Sequence, residues 1–374
     1  MRIVPRLPLA QRLRYSAAAF VVQNLLLGPV ALFDSIRRDH LGLGAVPHPD
    51  VIKTYPVRKG LPVRIFYPKS YDKSNPVPLP VLLSIHGGGF VIGNPQDNDA
   101  WNASFASKHS FLVIALNYHK APGSPFPAPI HDAEALIGCV LSDPALLPSI
   151  NPSRVALLGF SAGGNLALAL SQLDSIRPRI QAVVPIYPVI DFVTPQAAKT
   201  RLRQYKPSIG GFRSKPTDYL LTFANLFDWS YLPVGQKVDD PLVSPVFATA
   251  ETLPKNVFVI GCELDMLGHE DWRFACKLAG RPVPSFSDKI GRPEPAGEGE
   301  LITAGDERFA WEEVLEGGER RVRWLLIPDV VHGFDQDIGA MVGDDRELLE
   351  DAAIKTEKII DIVGEWLLAG PLKV

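Results

Sequence analysis

The chain has 374 residues, of which 46% are hydrophobic and 21% are charged, and its formal net charge at pH 7 is −3. This length and apolar content can bury a large core and allow one domain with insertions. Because the chain has no excess of basic residues, we expect no nucleic-acid partner. The three cysteines, Cys139, Cys262 and Cys276, lie far apart without the spacing of metal ligands, which predicts reduced thiols in a cytoplasmic protein.

The N-terminal segment combines arginines at positions 2, 6, 12 and 14 with a mostly apolar run from Ser16 to Phe33. A signal anchor has this pattern, but Gln23, Asn24 and the pair Gly28-Pro29 interrupt the run. A membrane-spanning helix needs about 20 predominantly apolar residues, and no small-residue cleavage site follows a short apolar core. We therefore predict an amphipathic helix packed on the domain, with peripheral or anchored membrane association as the alternative.

After residue 50, short apolar runs alternate with helical patterns. Continuous β-branched and aliphatic runs indicate strands that are buried on both faces of a parallel sheet. The alternation predicts an α/β fold with a mostly parallel, eight-stranded sheet flanked by helices. The predicted strands are Val51–Val57, Val63–Tyr67, Val81–Ile85, Phe111–Leu116, Arg154–Leu158, Gln181–Tyr187, Asn256–Ile260 and Val322–Ile327, and the predicted helices are Pro129–Leu141, Ala162–Leu173, His269–Leu278 and Glu347–Leu368.

Two stretches interrupt this alternation. Val189–Gly235 is long and rich in Pro, Tyr and Phe, and we expect it to fold over the carboxyl ends of the strands as a lid. Its aromatic side chains favour an apolar cap that buries a lipophilic group, or else they pack the core of the cap itself. Arg281–Arg321 is rich in Gly, Pro and acidic residues, which predicts a polar surface insertion without a function of its own.

A serine at a sharp turn is the first chemical signal. Ser161 is the centre of the pentapeptide Gly-Phe-Ser-Ala-Gly, between the apolar run that ends at Leu158 and a helical pattern. Gly159 and Gly163 fit such a turn because larger side chains would collide there, and the strained backbone lifts the hydroxyl clear of the sheet. Taken alone, the pentapeptide is more typical of an ordinary turn of glycine and serine.

Four of the predicted strands are followed by groups that acyl transfer requires. Open α/β sheets bind ligands beyond the carboxyl ends of their strands, so residues that follow different strands meet there. In chain order these are a glycine loop at 86–90, Ser161, an acidic segment at 263–265 and a segment at 329–335 that contains His332. This order of parts predicts a hydrolytic site at the sheet edge.

Each part has a role in that chemistry. A serine becomes a nucleophile when an imidazole takes its proton, and the imidazole needs a carboxylate to fix its tautomer. Ser161, His332 and Asp265 are predicted to fill these roles. The other candidate acids are Glu263, Asp329 and Asp335.

The developing oxyanion needs donors that are already in place. We predict that the backbone amides of Gly88, Gly89 and Ala162 supply them.

The same motifs carry a family resemblance. Residues 86–90 (His-Gly-Gly-Gly-Phe), 159–165 (Gly-Phe-Ser-Ala-Gly-Gly-Asn), 263–265 (Glu-Leu-Asp) and 332–334 (His-Gly-Phe) resemble the motifs of the hormone-sensitive-lipase-like carboxylesterases, the α/β-hydrolase fold-3 group. The resemblance extends from about residue 79 to residue 334. It implies Asp265 rather than Glu263 as the acid, and it implies no metal and no organic cofactor. Motif residues that it assigns to support of the site are His86, Gly87, Gly159 and Gly163.

The resemblance also implies a domain organisation. Residues 1–48 and the insertion 189–235 would form a cap, and residues 49–374 the α/β-hydrolase domain, with 281–321 as a surface insertion. The last insertion resembles longer fungal-type members of the group, some of which act in secondary metabolism. Two departures stand out: Phe160 replaces an acidic residue, and Met266 replaces the proline of the usual Asp-Pro-Leu.

The sequence therefore predicts a cofactor-independent serine hydrolase that cleaves a small-molecule carboxylic ester through an acyl-enzyme, the substrate being lipophilic or a secondary metabolite. Hydrolysis of an amide, formamide or thioester and a lyase-type elimination stay open, because they use the same base and oxyanion donors. A non-catalytic small-molecule receptor is a further alternative, against which the presence of His332 argues. Nothing in the sequence predicts the oligomeric state.

Overall fold

A computed structural model describes residues 2–27, 33, 36, 47–336 and 345–373. Its centre is a nine-stranded sheet with the strand order β1-β2-β4-β3-β5-β6-β7-β9-β8. The strands are β1 (Val51–Lys53), β2 (Val63–Phe66), β3 (Leu79–Ile85), β4 (Leu112–Leu116), β5 (Ile150–Phe160), β6 (Ala182–Ile186), β7 (Asn256–Cys262), β8 (Ala310–Leu315) and β9 (Arg320–Ile327). The six central strands from β4 to β9 pair in parallel, whereas β1, β2 and β8 pair antiparallel at the two edges.

Helices cover both faces of this sheet. The α-helices, in chain order, are α1 (Leu9–Phe20), α2 (Asp99–His109), α3 (Ala128–Val140), α4 (Ala162–Leu170), α5 (Gln196–Lys199), α6 (Leu221–Tyr231), α7 (Gly268–Leu278) and α8 (Arg346–Ala369). Side chains alternate between the faces along each strand. Leu83 of β3 joins a core cluster with Leu166 of α4. Its neighbour Leu82 joins a second cluster with Phe105 of α2 and Trp366 of α8, so the central strands are buried on both sides.

The predicted α/β-hydrolase architecture is confirmed, with nine strands instead of eight. The additional strand, β8, lies in the stretch that the sequence predicted to be a polar surface insertion. It pairs with β9 in the register Trp311↔Trp324. No residue of β8 is fully buried, so the strand lacks the continuous apolar run by which the central strands are recognised. At the other edge the first strand ends at Lys53 instead of Val57, because Pro56 begins a 3₁₀ turn.

The N-terminal segment is helical, as predicted, but its helix begins earlier. Helix α1 starts at Leu9 and continues into a π-helical stretch, Val21–Leu27. Tyr15 contacts Trp229 of α6, with 5.5 Å between the ring centroids. Residues 28–32 of the predicted segment lie outside the described residues. Among the helices that the structure describes, none has the length and apolar content needed to cross a membrane.

A buried ion pair ties β2 to α2. Arg64 and Asp99 are 3% and 1% exposed, and the Arg64 Nε and Nη2 atoms donate to the two Asp99 carboxylate oxygens at 2.8 and 2.5 Å. Removing one partner of such a pair leaves a buried charge without its counter-charge.

We expect Asp99→Ala to lower the free energy of unfolding by about 3 to 5 kcal/mol. Urea denaturation at neutral pH measures this loss. The matched control is Asp174→Ala, because the Asp174 side chain is 92% exposed and pairs with Arg177 at the surface; its cost should stay within about 1 kcal/mol. Equal losses in the two variants would contradict the assignment of a stabilising role to the buried pair.

Candidate active site

Ser161 lies at the turn between β5 and α4, in a backbone conformation that residues with side chains rarely adopt. Its φ is +53° and its ψ is −117°. A Cβ added to Gly159 would lie 2.0 Å from the Gly163 carbonyl oxygen, and one added to Gly163 would lie 2.2 Å from the Ile85 carbonyl oxygen. Glycine is therefore required on both sides of the serine, and the strained turn presents the hydroxyl at the carboxyl edge of the sheet.

The structure brings Ser161, His332 and Asp265 into one chain of hydrogen bonds. The distance between Ser161 Oγ and His332 Nε2 is 2.8 Å. The distance between His332 Nδ1 and Asp265 Oδ2 is 2.6 Å. Because a carboxylate only accepts, Nδ1 carries a proton, which leaves Nε2 free to accept the proton of the serine hydroxyl.

The other three candidate acids have different partners. Glu263 and Asp329 both accept from the buried ammonium of Lys206, at 2.7 and 2.6 Å. Asp335 accepts from the hydroxyl of Tyr187. Of the four carboxylates that the sequence offered, Asp265 is the one that contacts the imidazole.

Nearby carboxylates set the proton affinity of His332. Its burial disfavours the charged imidazolium and lowers the pKa, but Asp265, followed by Asp218 and Asp335, stabilises the charge. The net result is a pKa raised above the ordinary value of 6.5. The imidazole of His332 is therefore protonated over a wider pH range than a free histidine.

The glycine loop after β3 lies directly against the serine. A Cβ on Gly87 would lie 3.3 Å from the Cβ of Ser161. Gly88 and Gly89 have φ values of +107° and +57°, and a Cβ on Gly89 would collide with the Phe227 ring. Ala162 is the first residue of α4, so its N–H has no acceptor within the helix. The three predicted oxyanion donors thus belong to backbone that borders the serine.

The side chain of His86 contacts the glycine loop and a neighbouring tyrosine. Its ring stacks on Tyr118 with 4.4 Å between centroids, and Nδ1 lies 2.8 Å from the Gly87 carbonyl oxygen. Burial, followed by the charge of Lys120, holds the pKa of His86 well below its ordinary value. A neutral ring fits a role in shaping the glycine loop.

The insertion after β6 supplies contacts that the sequence did not reveal. The Asp218 carboxylate accepts from the Met266 N–H at 2.8 Å, directly after Asp265. The Tyr219 hydroxyl donates to the His332 carbonyl oxygen at 2.6 Å. These residues are far from their partners in sequence and match no motif, so only the folded structure brings them to the site.

The aromatic side chains of the same insertion divide between core and surface. Tyr231 is fully buried and stacks on Phe90, with 3.6 Å between centroids. Phe223 and Tyr205 are 38% and 46% exposed. Phe227 lies against Gly89, as noted above. Part of the set therefore packs in the core, whereas the burial of a lipophilic group by the exposed members stays a prediction.

A profile of the α/β-hydrolase fold family matches residues 82–289, more than half of the chain. The chain therefore belongs to the α/β-hydrolase fold-3 family, the hormone-sensitive-lipase-like group that its motifs predicted.

Relatives of this chain are named as hydrolases or esterases. The chain is 32% identical over 209 residues to an acetyl-hydrolase of Streptomyces hygroscopicus, a match that covers 54% of this chain and 63% of that protein, a little under two thirds of its length. It is 25% identical over 292 residues to an arylesterase of Saccharolobus solfataricus, covering 76% of this chain and 90% of the relative. Its fold resembles that of a hyperthermophilic esterase from the archaeon Pyrobaculum calidifontis, with a TM-score of 0.60, 20% identity and 88% coverage of both chains.

Proposed function

We propose that this chain hydrolyses carboxylic esters through a covalent acyl-enzyme. The observation that carries the proposal is the continuous chain of hydrogen bonds from Ser161 Oγ through His332 to Asp265. Membership of the family and relatives that are named for ester and acetyl hydrolysis support it.

In the proposed reaction, His332 Nε2 takes the proton of the Ser161 hydroxyl as Oγ attacks the ester carbonyl carbon. Asp265 holds the imidazole and stabilises its positive charge. The amides of Gly88, Gly89 and Ala162 donate to the oxyanion of the tetrahedral intermediate. His332 then gives its proton to the leaving alkoxide, and the ester C–O bond breaks. A water molecule, deprotonated by His332, releases the acid from the acyl-serine in a second cycle of the same kind.

We further propose that residues 1–48 and 189–235 form the cap of this site, and that residues 49–374 form the catalytic domain. Phe227 of the insertion contacts Gly89. Gln23 of the N-terminal segment donates to the carbonyl oxygens of Val91 and Ala121 at 2.7 and 2.8 Å. Both segments therefore border the glycine loop, where the acyl or alcohol group of a substrate would lie.

The relatives named above suggest the first substrates to try. The Streptomyces relative is named for an acetyl group and the Saccharolobus relative for an aryl ester. An aryl acetate combines both groups in one substrate. Amides and thioesters of the same acyl group provide the comparison, since the same residues serve those bonds.

Replacement of Ser161 by alanine tests the nucleophile. We expect Ser161→Ala to lower kcat for an aryl acetate by about 10⁴-fold or more, while its circular dichroism stays that of the wild type. A fluorophosphonate probe should label the wild type and Ser142→Ala, a control in which the replaced serine lies outside the site, but not Ser161→Ala. Activity that survives in Ser161→Ala would end the proposal that this serine is the nucleophile. A wild type that resists the probe would end it in favour of a non-catalytic receptor.

The pH dependence of kcat/KM tests the base. Only neutral His332 accepts the serine proton, so activity should rise as pH increases through the pKa of that residue. Since this pKa is raised above 6.5, the midpoint of the acid limb should lie above 6.5. Steady-state rates with an aryl acetate between about pH 5 and about pH 9 locate it. A profile without an acid limb in that range would exclude His332 as the base.

A further inference from the structure

Hydrogen bonds and packing contacts hold one side of the N-terminal segment against the rest of the protein. The Val4 N–H donates to the Gln236 carbonyl oxygen at 2.9 Å, and the Val4 carbonyl oxygen accepts from Gly235 at 3.0 Å. Tyr15 contacts Trp229, Ala19 is buried, and Gln23 reaches the glycine loop. These contacts fix which face of α1 points away from the protein.

That outward face is apolar. Leu9, Leu13 and Phe20 are 66%, 60% and 58% exposed, and their spacing places them on one side of the helix. Leu25 and Leu26 continue the exposed surface in the π-helical stretch, at 60% and 57% exposure. A row of large apolar side chains in water marks an interaction surface.

The charge around this face indicates the partner. Arginines stand at positions 2, 6, 12 and 14, and no acidic residue precedes Asp34. Arg12 and Arg14 flank the apolar row on the helical wheel. A symmetric dimer through the same face would bring the arginines of both copies together, which like charges disfavour. An anionic lipid surface instead offers hydrocarbon to the apolar row and negative headgroups to the arginines.

We propose that this face, made by Leu9, Leu13, Phe20, Leu25 and Leu26 with Arg12 and Arg14, docks on an anionic lipid bilayer, with α1 lying in the plane of the interface. The helix does not need to span the bilayer. Because Gln23 bonds to Val91, the residue that follows the glycine loop, docking would bring the proposed site close to esters that dissolve in the membrane. The docking itself does not depend on the proposed activity.

Cosedimentation with vesicles tests the docking. The wild type should bind vesicles of phosphatidylcholine and phosphatidylglycerol at least about tenfold more tightly than vesicles of phosphatidylcholine alone, and added salt should weaken that preference. Leu13→Glu/Phe20→Glu should abolish most binding to both. Arg12→Gln/Arg14→Gln should remove most of the preference for the anionic vesicles.

The control is Val77→Glu/Val314→Glu, which places the same charges at two exposed apolar side chains elsewhere on the protein, 54% and 52% exposed. It should bind as the wild type does. The proposal is overturned if the wild type binds neither vesicle, or if the control loses as much binding as the Leu13/Phe20 variant. It is also overturned if sedimentation velocity shows a dimer that Leu13→Glu/Phe20→Glu dissociates, because a second copy would then occupy the face.

Asp218 gives an independent inference about the proposed reaction. Its carboxylate is 4% exposed, and its Oδ2 and Oδ1 atoms accept from the N–H groups of Met266 and Leu220 at 2.8 and 2.9 Å. Met266 stands where the related motif has proline, which has no N–H to donate. The bond from the cap insertion to the acid loop therefore depends on this departure.

Several charged side chains lie around the Asp218 carboxylate. Charged groups that face Asp218 are Asp265, Arg203, whose Nε lies 3.9 Å away, and Arg213 and Lys215, which line a small adjoining cavity. Those that face His332 are Asp265, Asp218 and Asp335. Desolvation, followed by the charge of Asp265, raises the pKa of Asp218 to about 6, so Asp218 is ionised where the proposed base is neutral.

We infer that Asp218 is a positioning residue for the proposed reaction: it holds the backbone that follows Asp265 and adds negative charge that favours protonated His332. This inference rests on the proposed function. Removing the charge should make His332 easier to deprotonate, which shifts the acid limb of kcat/KM to lower pH.

Two variants separate charge from hydrogen bonding. Asp218→Asn removes the charge and should move the acid limb to lower pH. Met266→Pro removes the N–H donor but no charge, so it should lower kcat while the limb stays in place. Asp228→Asn, which changes another buried carboxylate of the same insertion, should leave the limb unchanged.

Labelling by the fluorophosphonate probe keeps the two proposals apart. If the wild type is not labelled, the proposed hydrolysis fails. If it is labelled and the acid limb of Asp218→Asn does not move, or moves equally in Asp228→Asn, only the role of Asp218 is overturned. A changed thermal midpoint with an unmoved limb likewise assigns Asp218 a structural role alone.

Discussion

In the proposed mechanism, the imidazole of His332 must keep one nitrogen bonded to a carboxylate while the other faces the serine hydroxyl. The two bonds, 2.6 Å to Asp265 and 2.8 Å to Ser161, join three loops that leave different strands. The parallel pairing of β5, β6, β7 and β9 makes this geometry available, because it aligns the carboxyl ends of these strands at one edge. Any shift of one loop relative to the others would break a bond that the base requires.

Negative charge is concentrated around this imidazole and is partly neutralised nearby. In sequence, Glu263 lies close to Asp265 and Asp329 lies close to His332. Both carboxylates pair with the fully buried Lys206. This lysine of the insertion 189–235 thus connects the two loops and offsets the charge of two carboxylates. The carboxylates of Asp265, Asp218 and Asp335 raise the pKa of His332. The higher pKa favours the imidazolium that forms during attack, but it also means that the neutral imidazole is present only at higher pH.

The sequence predicted best what local chemistry determines. The turn at Ser161 needs glycine within two residues on either side, and buried parallel strands need continuous apolar runs, so both were recognisable. The choice of Asp265 over Glu263 came from the family resemblance and not from spacing. The edge strand β8 was missed because its residues are only partly buried, and Lys206 was missed because its partners lie 57 and 123 residues away. Contacts of that kind depend on tertiary packing, for which a single sequence has no periodic signal.

The insertion 189–235 therefore contacts several of the loops that carry the proposed site. Asp218 bonds to the backbone after the proposed acid, Tyr219 bonds to the carbonyl of the proposed base, and Phe227 lies on the glycine loop. Gln23 brings the N-terminal segment to the same loop. A change that moves the proposed cap, such as docking of α1 on a lipid surface, would act on elements that contact the acid loop, the backbone of His332 and the glycine loop. Asp218 and Tyr219 therefore connect the insertion with the loops of both the proposed acid and the proposed base.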